Sequence, residues 1–237
     1  MSKLKNLKKD LRKFERPEKA KVLTRFFKTG KGEYAEGDQF LGLKTDETRS
    51  VARKYSDLNY SDLKNLLESK IHEERMVAVM VLINRFKKGN LDIKKEVYEF
   101  FINNLSGINN WDLVDVSVPH IIGGYLYLAK GNRNVLYDFA KSNNLWKKRI
   151  GIMSTFYFIR NYEYQDTLRI SEILLTYNHD LIHKAVGWML REIGNRNLQA
   201  EEKFLKIYYK KMPRTMLRYA IEKFPERLRI KYLESKI

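Results

Sequence analysis

Three segments of this chain read alike, and their likeness constrains the fold more than any other feature of the sequence. They are HEERMVAVMVLINRF from His72, WKKRIGIMSTFYFIR from Trp146 and LIHKAVGWMLREIG from Leu181. Each opens on basic or polar residues and passes into small and apolar ones. Arg75 and Arg149 lie 74 residues apart with Asp112 midway, and Lys184 follows Arg149 by 35. A period of roughly 37 residues fits stacked helix hairpins, in which each hairpin buries its apolar face against its neighbours. The competing reading is chance self-similarity, because amphipathic helices resemble one another.

The rest of the chain has the same helical period. Leu4, Leu7, Leu11 and Phe14 recur at three- and four-residue steps between lysines and arginines. Pro17 opens a second helix, and Gly30 and Gly32 close it. Thr29–Lys44, with glycines at 30, 32, 37 and 42, is the one long non-helical stretch, and a loop of this kind inside a helical protein is shaped for a purpose. Thr45 reads as an N-cap. Helices are expected from Ser61, Ile71 and Asp92, then over Asn134–Ser142, Leu145–Arg160, Asp166–Thr176, Leu181–Gly194, Gln199–Lys211, Arg214–Phe224 and Glu226–Ser235. Pro119 breaks or restarts the helix after Asp115. No run alternates as a half-buried strand does. The expectation is an all-α protein, a curved α-solenoid of HEAT-like helix hairpins. It would form one domain over residues 1–237, with the basic helical pair of residues 1–31 included and a concave basic face carrying Arg75, Asp112, Arg149 and Lys184 in register.

Charge says what such a face is for. Lys and Arg number 46 against 29 Asp and Glu, a net +17, and residues 1–31 hold twelve basic residues against three acids. That excess points to a polyanion, and helical repeats suit a duplex backbone held by sequence-independent, salt-sensitive contacts. A solvated lysine-rich surface is the plainer alternative. There is no cysteine, so a disulfide framework, a thiolate nucleophile and a Cys-ligated metal are excluded. No window is apolar enough to span a membrane, and no signal-peptide core is present. A cytoplasmic location and a monomer are the defaults.

Against this basic background the pentapeptide Trp111–Asp115, WDLVD, stands apart. Between Glu99 and Asp138 the only acids are Asp112 and Asp115. On a helix Trp111 and Asp115 share one face, and an aromatic face beside an anion can hold a cation. The plainer reading makes Trp111 core, Asp112 a helix-start residue and Asp115 a salt-bridge partner.

WDLVDVSVP, followed by LWKKRIG and KAVGWMLREIG, resembles the DNA alkylation repair glycosylases built from HEAT-like repeats, of the AlkD type. PEKAKVLTRFF and GEYAEGDQFLGLKTDETR are similar to that family as well, so the resemblance runs from about Pro17 to about Gly194. It implies hydrolysis of the N-glycosidic bond of N3- or N7-alkylated purines in double-stranded DNA, by a monofunctional enzyme without cofactor or metal. It places the catalytic carboxylate on Asp115, the lesion-binding tryptophans on Trp111 and Trp188, and the phosphate-contacting arginine on Arg149. Lys148, Lys184 and Arg191 join Arg149 as expected DNA contacts. One departure stands out: an aromatic that is commonly Tyr in the first helical pair is Phe26 or Phe27 here. Asp112 reads as structural, at the helix start or behind the site.

Other constellations are weaker. His179 and His183 are spaced i, i+4, but no third ligand lies at a useful spacing, and HEER at His72 is not HExxH. The rival function is a non-catalytic HEAT-like scaffold that grips nucleic acid. RNA binding, a third reading, would show as a preference for single strands.

Overall fold

Leu7 and Leu11, one turn apart in the first basic helix, are fully buried, so even the most charged stretch is tied into a core. The computed structural model describes residues 2–237. It is all-α, and the described residues form no strand beyond an isolated bridge between Gln39 and Ile71. Two compact units are distinguished, one ending at Ser117 and one spanning Val118–Ile237.

The first unit contains α1 (Lys3–Arg12), α2 (Pro17–Phe26), α3 (Thr45–Lys54), α4 (Tyr60–Leu67), α5 (His72–Lys88), α6 (Leu91–Asn103) and all but the last residue of α7 (Trp111–Val118). Its central element is α5, which packs on α1, α3, α4 and α6. Val77, Ala78, Val79, Val81, Leu82, Ile83 and Phe86 bury it on several sides, the pattern of a core helix and not of a surface one. The Gly-rich segment ahead of α3 ends on the first turn of α5. Glu73 accepts the backbone N–H groups of Leu41 (3.0 Å), Gly42 (2.8 Å) and Leu43 (3.2 Å). Gly42 has φ +85°, and a Cβ there would collide with the Arg16 carbonyl and come within 2.8 Å of the Ala20 nitrogen. Only glycine fits that crossing.

The second unit starts with a π-helical turn, Pro119–Gly123. It continues through α8 (Gly124–Leu128), α9 (Asn134–Lys141), α10 (Leu145–Ser154), α11 (Phe156–Arg160), α12 (Gln165–Leu174), α13 (Asp180–Gly194), α14 (Leu198–Tyr208), α15 (Arg214–Ala220) and α16 (Glu226–Leu233). Here α10 and α13 are the central pair. They pack on each other and on α12, α10 also on α9, and α13 also on α14 and α15. The three segments that read alike in sequence are therefore the helices buried deepest in their units.

Boundaries moved where local hydrogen bonding intervened. Lys44, not Thr45, is the N-cap of α3, because the Glu47 carboxylate reaches back to the Lys44 N–H at 2.7 Å. The expected helix Leu145–Arg160 is two, α10 and α11. The Thr155 hydroxyl donates to the Ile152 carbonyl at 2.7 Å, and its N–H bonds the same carbonyl, which closes a tighter turn. Pro119 neither ends nor simply restarts the helix. It has no N–H to donate four residues back, to the Asp115 carbonyl, and the backbone widens into the π turn there.

Candidate functional site

In the first unit the site grows from the four residues that open α5. His72, Glu73, Glu74 and Arg75 are polar or charged, and all four are buried. Burial of this kind is tolerated only with partners, and each has one. Glu73 takes the backbone N–H groups named above, and Glu74 pairs with Lys8 of α1 at 2.8 Å. Arg75, 3% exposed, donates to Asp38 at 2.6 Å and to the Ser69 carbonyl at 2.9 Å. His72 places Nε2 2.8 Å from Asp112 Oδ2 and Nδ1 3.7 Å from Asp38 Oδ2.

Burial opposes charging the His72 ring, but Asp112 and Asp38 outweigh it and raise its pKa to about 9. The two carboxylates thus favour the protonated ring, with Nε2 facing Asp112 and Nδ1 lying 3.3 Å from Arg75 Nη2 and 3.7 Å from Asp38. Burial likewise pushes the Asp38 carboxyl up, while His72 and Arg75 hold it below the usual range. The cluster balances two carboxylates, Asp38 and Asp112, against two cations, His72 and Arg75. The Gly-rich loop supplies Asp38 and also Phe40, which explains its shape.

Above this cluster stands an aromatic column. Trp111 stacks on Phe27 with centroids 5.2 Å apart and planes 19° apart, and Phe27 stacks on Phe40 at 5.0 Å. The His72 ring lies 4.7 Å from Phe40 and 5.2 Å from Phe27. Phe26 meets Trp111 edge-on at 6.0 Å and is 60% exposed. The two phenylalanines thus divide the roles left open by the sequence: Phe27 is the buried platform and Phe26 the exposed rim.

α7 begins at Trp111, whose N–H is accepted by the Asn110 side chain at 2.8 Å. Asp112 accepts the Leu113 N–H at 2.8 Å through Oδ1 while Oδ2 faces His72, a structural placement for this carboxylate. Asp115 follows Trp111 by one turn and is half-buried on the same face.

The remaining residues expected at the site lie in the second unit. Arg149 on α10 is only 5% exposed and donates to the Leu181 carbonyl, so it is not a solvated face residue. Lys148 turns its ammonium inward, to the Ala140 carbonyl at 3.0 Å and over the Tyr177 ring at 4.5 Å. On α13, Lys184 is half-exposed and pairs with Asp180 at 2.7 Å, and Arg191 pairs with Glu222. Trp188 is half-buried and not full core. Its Nε1–H donates to Glu192 at 3.2 Å, and its ring lies 6.0 Å from Phe156, over which Arg160 sits at 4.4 Å. His179 caps α13 by accepting the Leu181 N–H, and His183 donates to the Tyr177 carbonyl at 2.8 Å, so both have structural employment.

Sequence reasoning set Arg75 on an exposed basic face, whereas it is buried against Asp38, and it missed His72, Arg75 and Asp38 as a connected group. The available signal was HEER itself, four polar residues opening an otherwise apolar helix.

The model for the family described as DNA alkylation repair enzyme matches residues 7–224 of the chain. Among solved structures, the chain is similar to a predicted DNA alkylation repair enzyme from Enterococcus faecalis. The TM-score is 0.69 at 16% identity, over 90% of this chain and 97% of that one. At that identity the similarity is one of fold. No curated protein matches the chain.

Proposed function

Because the chain belongs to the DNA alkylation repair enzyme family, we propose that it hydrolyses the N-glycosidic bond of N3- and N7-alkylated purines in duplex DNA. The observation that carries this reading is a single helix face. On α7, Trp111 is fixed by its stack on Phe27, and Asp115 follows one turn later. An alkylated purine of this type is a cation and already a good leaving group. Little acid catalysis is needed, and the demand falls on the positive charge that develops at C1′ as the bond to nitrogen breaks. A carboxylate stabilises that charge and orients the attacking water. Water supplies the oxygen that bonds to C1′ and gives its proton to the carboxylate or to solvent, and the base departs with the electron pair of the broken bond as a neutral alkylpurine.

In this reading Trp111 contacts the cationic lesion, worth about 0.5–2 kcal/mol by cation–π attraction. Lys184 and Arg191 serve the phosphates, and Arg149, buried against the Leu181 carbonyl, is not among the exposed contacts. Lys148, turned inward, supports α10. No lysine is assigned a covalent role, so strand cleavage is not expected.

The test is release of free methylated purine from duplex DNA carrying N7-methylguanine or N3-methyladenine, with Asp115→Asn beside the wild type. Release by the wild type, reduced roughly 10²-fold or more in the variant with DNA binding kept, supports the reading. Salt-sensitive DNA binding without release by either protein would leave a non-catalytic scaffold in its place.

A further inference from the structure

We infer that His72 is a positioning residue for this site: through Asp112 and Phe27 it sets the orientation of Trp111 and of the helix that carries Asp115. The inference rests on the base-release reading above and extends it to a residue that touches neither lesion nor water.

Trp111 is held from two directions. Its ring rests on Phe27, and its chain neighbour Asp112 is tied by Oδ2. His72 contacts both supports, with Nε2 2.8 Å from Asp112 and its ring 5.2 Å from Phe27. The bonds from Asn110 and Asp112 to the first N–H groups of α7 are local and fix only its first turn. The His72–Asp112 bond is different, because it ties that turn to a core helix 40 residues away.

His72 is itself immobilised. It is 4% exposed, stacked on Phe40 at 4.7 Å and faced by three charged groups: Asp38 from the Gly-rich segment, Asp112 from α7 and Arg75 from its own helix. Glu73 and Glu74 beside it are turned to backbone N–H groups and to Lys8. The pairing also matters electrically. A lone imidazolium beneath Trp111 would repel a cationic purine, and Asp38 and Asp112 offset it together with Arg75. Neutralising the ring would loosen its hold on Asp112.

The first measurement needs no DNA. In the full-length protein, the His72 imidazole and the Trp111 indole N–H are followed together by NMR from pH 6 to 10, with Trp111→Phe assigning the indole. The expected result is one midpoint near 9 in both signals, moved to lower pH by Asp112→Asn. A Trp111 resonance that stays still through the His72 titration overturns the inference.

The second measurement is single-turnover release of N3-methyladenine. His72→Gln keeps a donor toward Asp112 and His72→Leu does not. A displaced α7 predicts a fall of about 10–100-fold for Leu, a smaller fall for Gln, and unchanged affinity for undamaged duplex. Release at the wild-type rate by both variants overturns it. If either variant fails to fold, Asp112→Asn, which keeps the ring, is read the same way. Absence of release by the wild type, with the shared NMR midpoint intact, removes the glycosylase reading and leaves the His72–Trp111 coupling standing.

Discussion

His72 Nε2 and Asp112 Oδ2 lie 2.8 Å apart across 40 residues of sequence, and this contact joins the opening turn of a core helix to the helix that bears Trp111 and Asp115. It is also a titrating contact. The folded-state pKa of His72, about 9, lies above the ordinary 6.5. Its contribution to stability is therefore fully present below pH 6.5, shrinks above it, and is lost as pH rises through about 9. Asp112→Asn is expected to cost on the order of 1–3 kcal/mol at pH 6, with the gap to the wild type narrowing toward pH 10. Urea unfolding at three pH values checks this, and a gap that does not change with pH would contradict it.

Glu201 also loses stability as pH rises, but through a burial penalty and not through the loss of a charged partner. It is 1% exposed and its Oε1 makes no hydrogen bond. Burial, and then Glu202, push its carboxyl up to about 9 against a weaker pull from Arg191. Below pH 4.5 both states hold the proton and there is no penalty. Above it the unfolded chain ionises while the folded one does not, so stability falls until about pH 9. Glu201→Gln is expected to stabilise the protein at pH 8 and to make little difference at pH 4. Thermal melting at those two pH values decides it.

Gly42 is a backbone requirement. Its φ of +85° and the Arg16 carbonyl beside it leave no place for a Cβ. Gly42→Ala is expected to cost at least about 1–3 kcal/mol, seen as a lower melting temperature. Because Glu73 gathers the N–H groups on either side of this residue, the change should also broaden the Trp111 indole signal. An unaltered melting temperature would show that the loop has another way past α2.

Salt dependence tests the phosphate assignments. Binding to undamaged duplex should weaken linearly in a plot of log affinity against log salt. Lys184→Ala and Arg191→Ala should each lower the slope by about 1 if the side chain neutralises one phosphate. Both pair with carboxylates in the free protein, so an unchanged slope would mean that those pairs survive on DNA and that phosphate contact lies elsewhere.

The sequence by itself determined the all-α class, the likeness of three helices, the strong basic excess and the family resemblance carried by WDLVD and its companions. These are properties of local period and composition: a helix sets which side chains share a face, so Trp111 and Asp115 could be paired from a spacing of four. The tertiary structure decided what HEER does. His72 finds Asp38 34 residues before it and Asp112 40 after it, and a helical period carries no information on which distant carboxylate completes a buried charge. The same limit hid the inward turn of Lys148 toward Ala140 and the division of labour between Phe26 and Phe27. Burial makes an unpaired charge costly, and it is chain packing, not spacing, that chooses which residues are buried and which partners they meet.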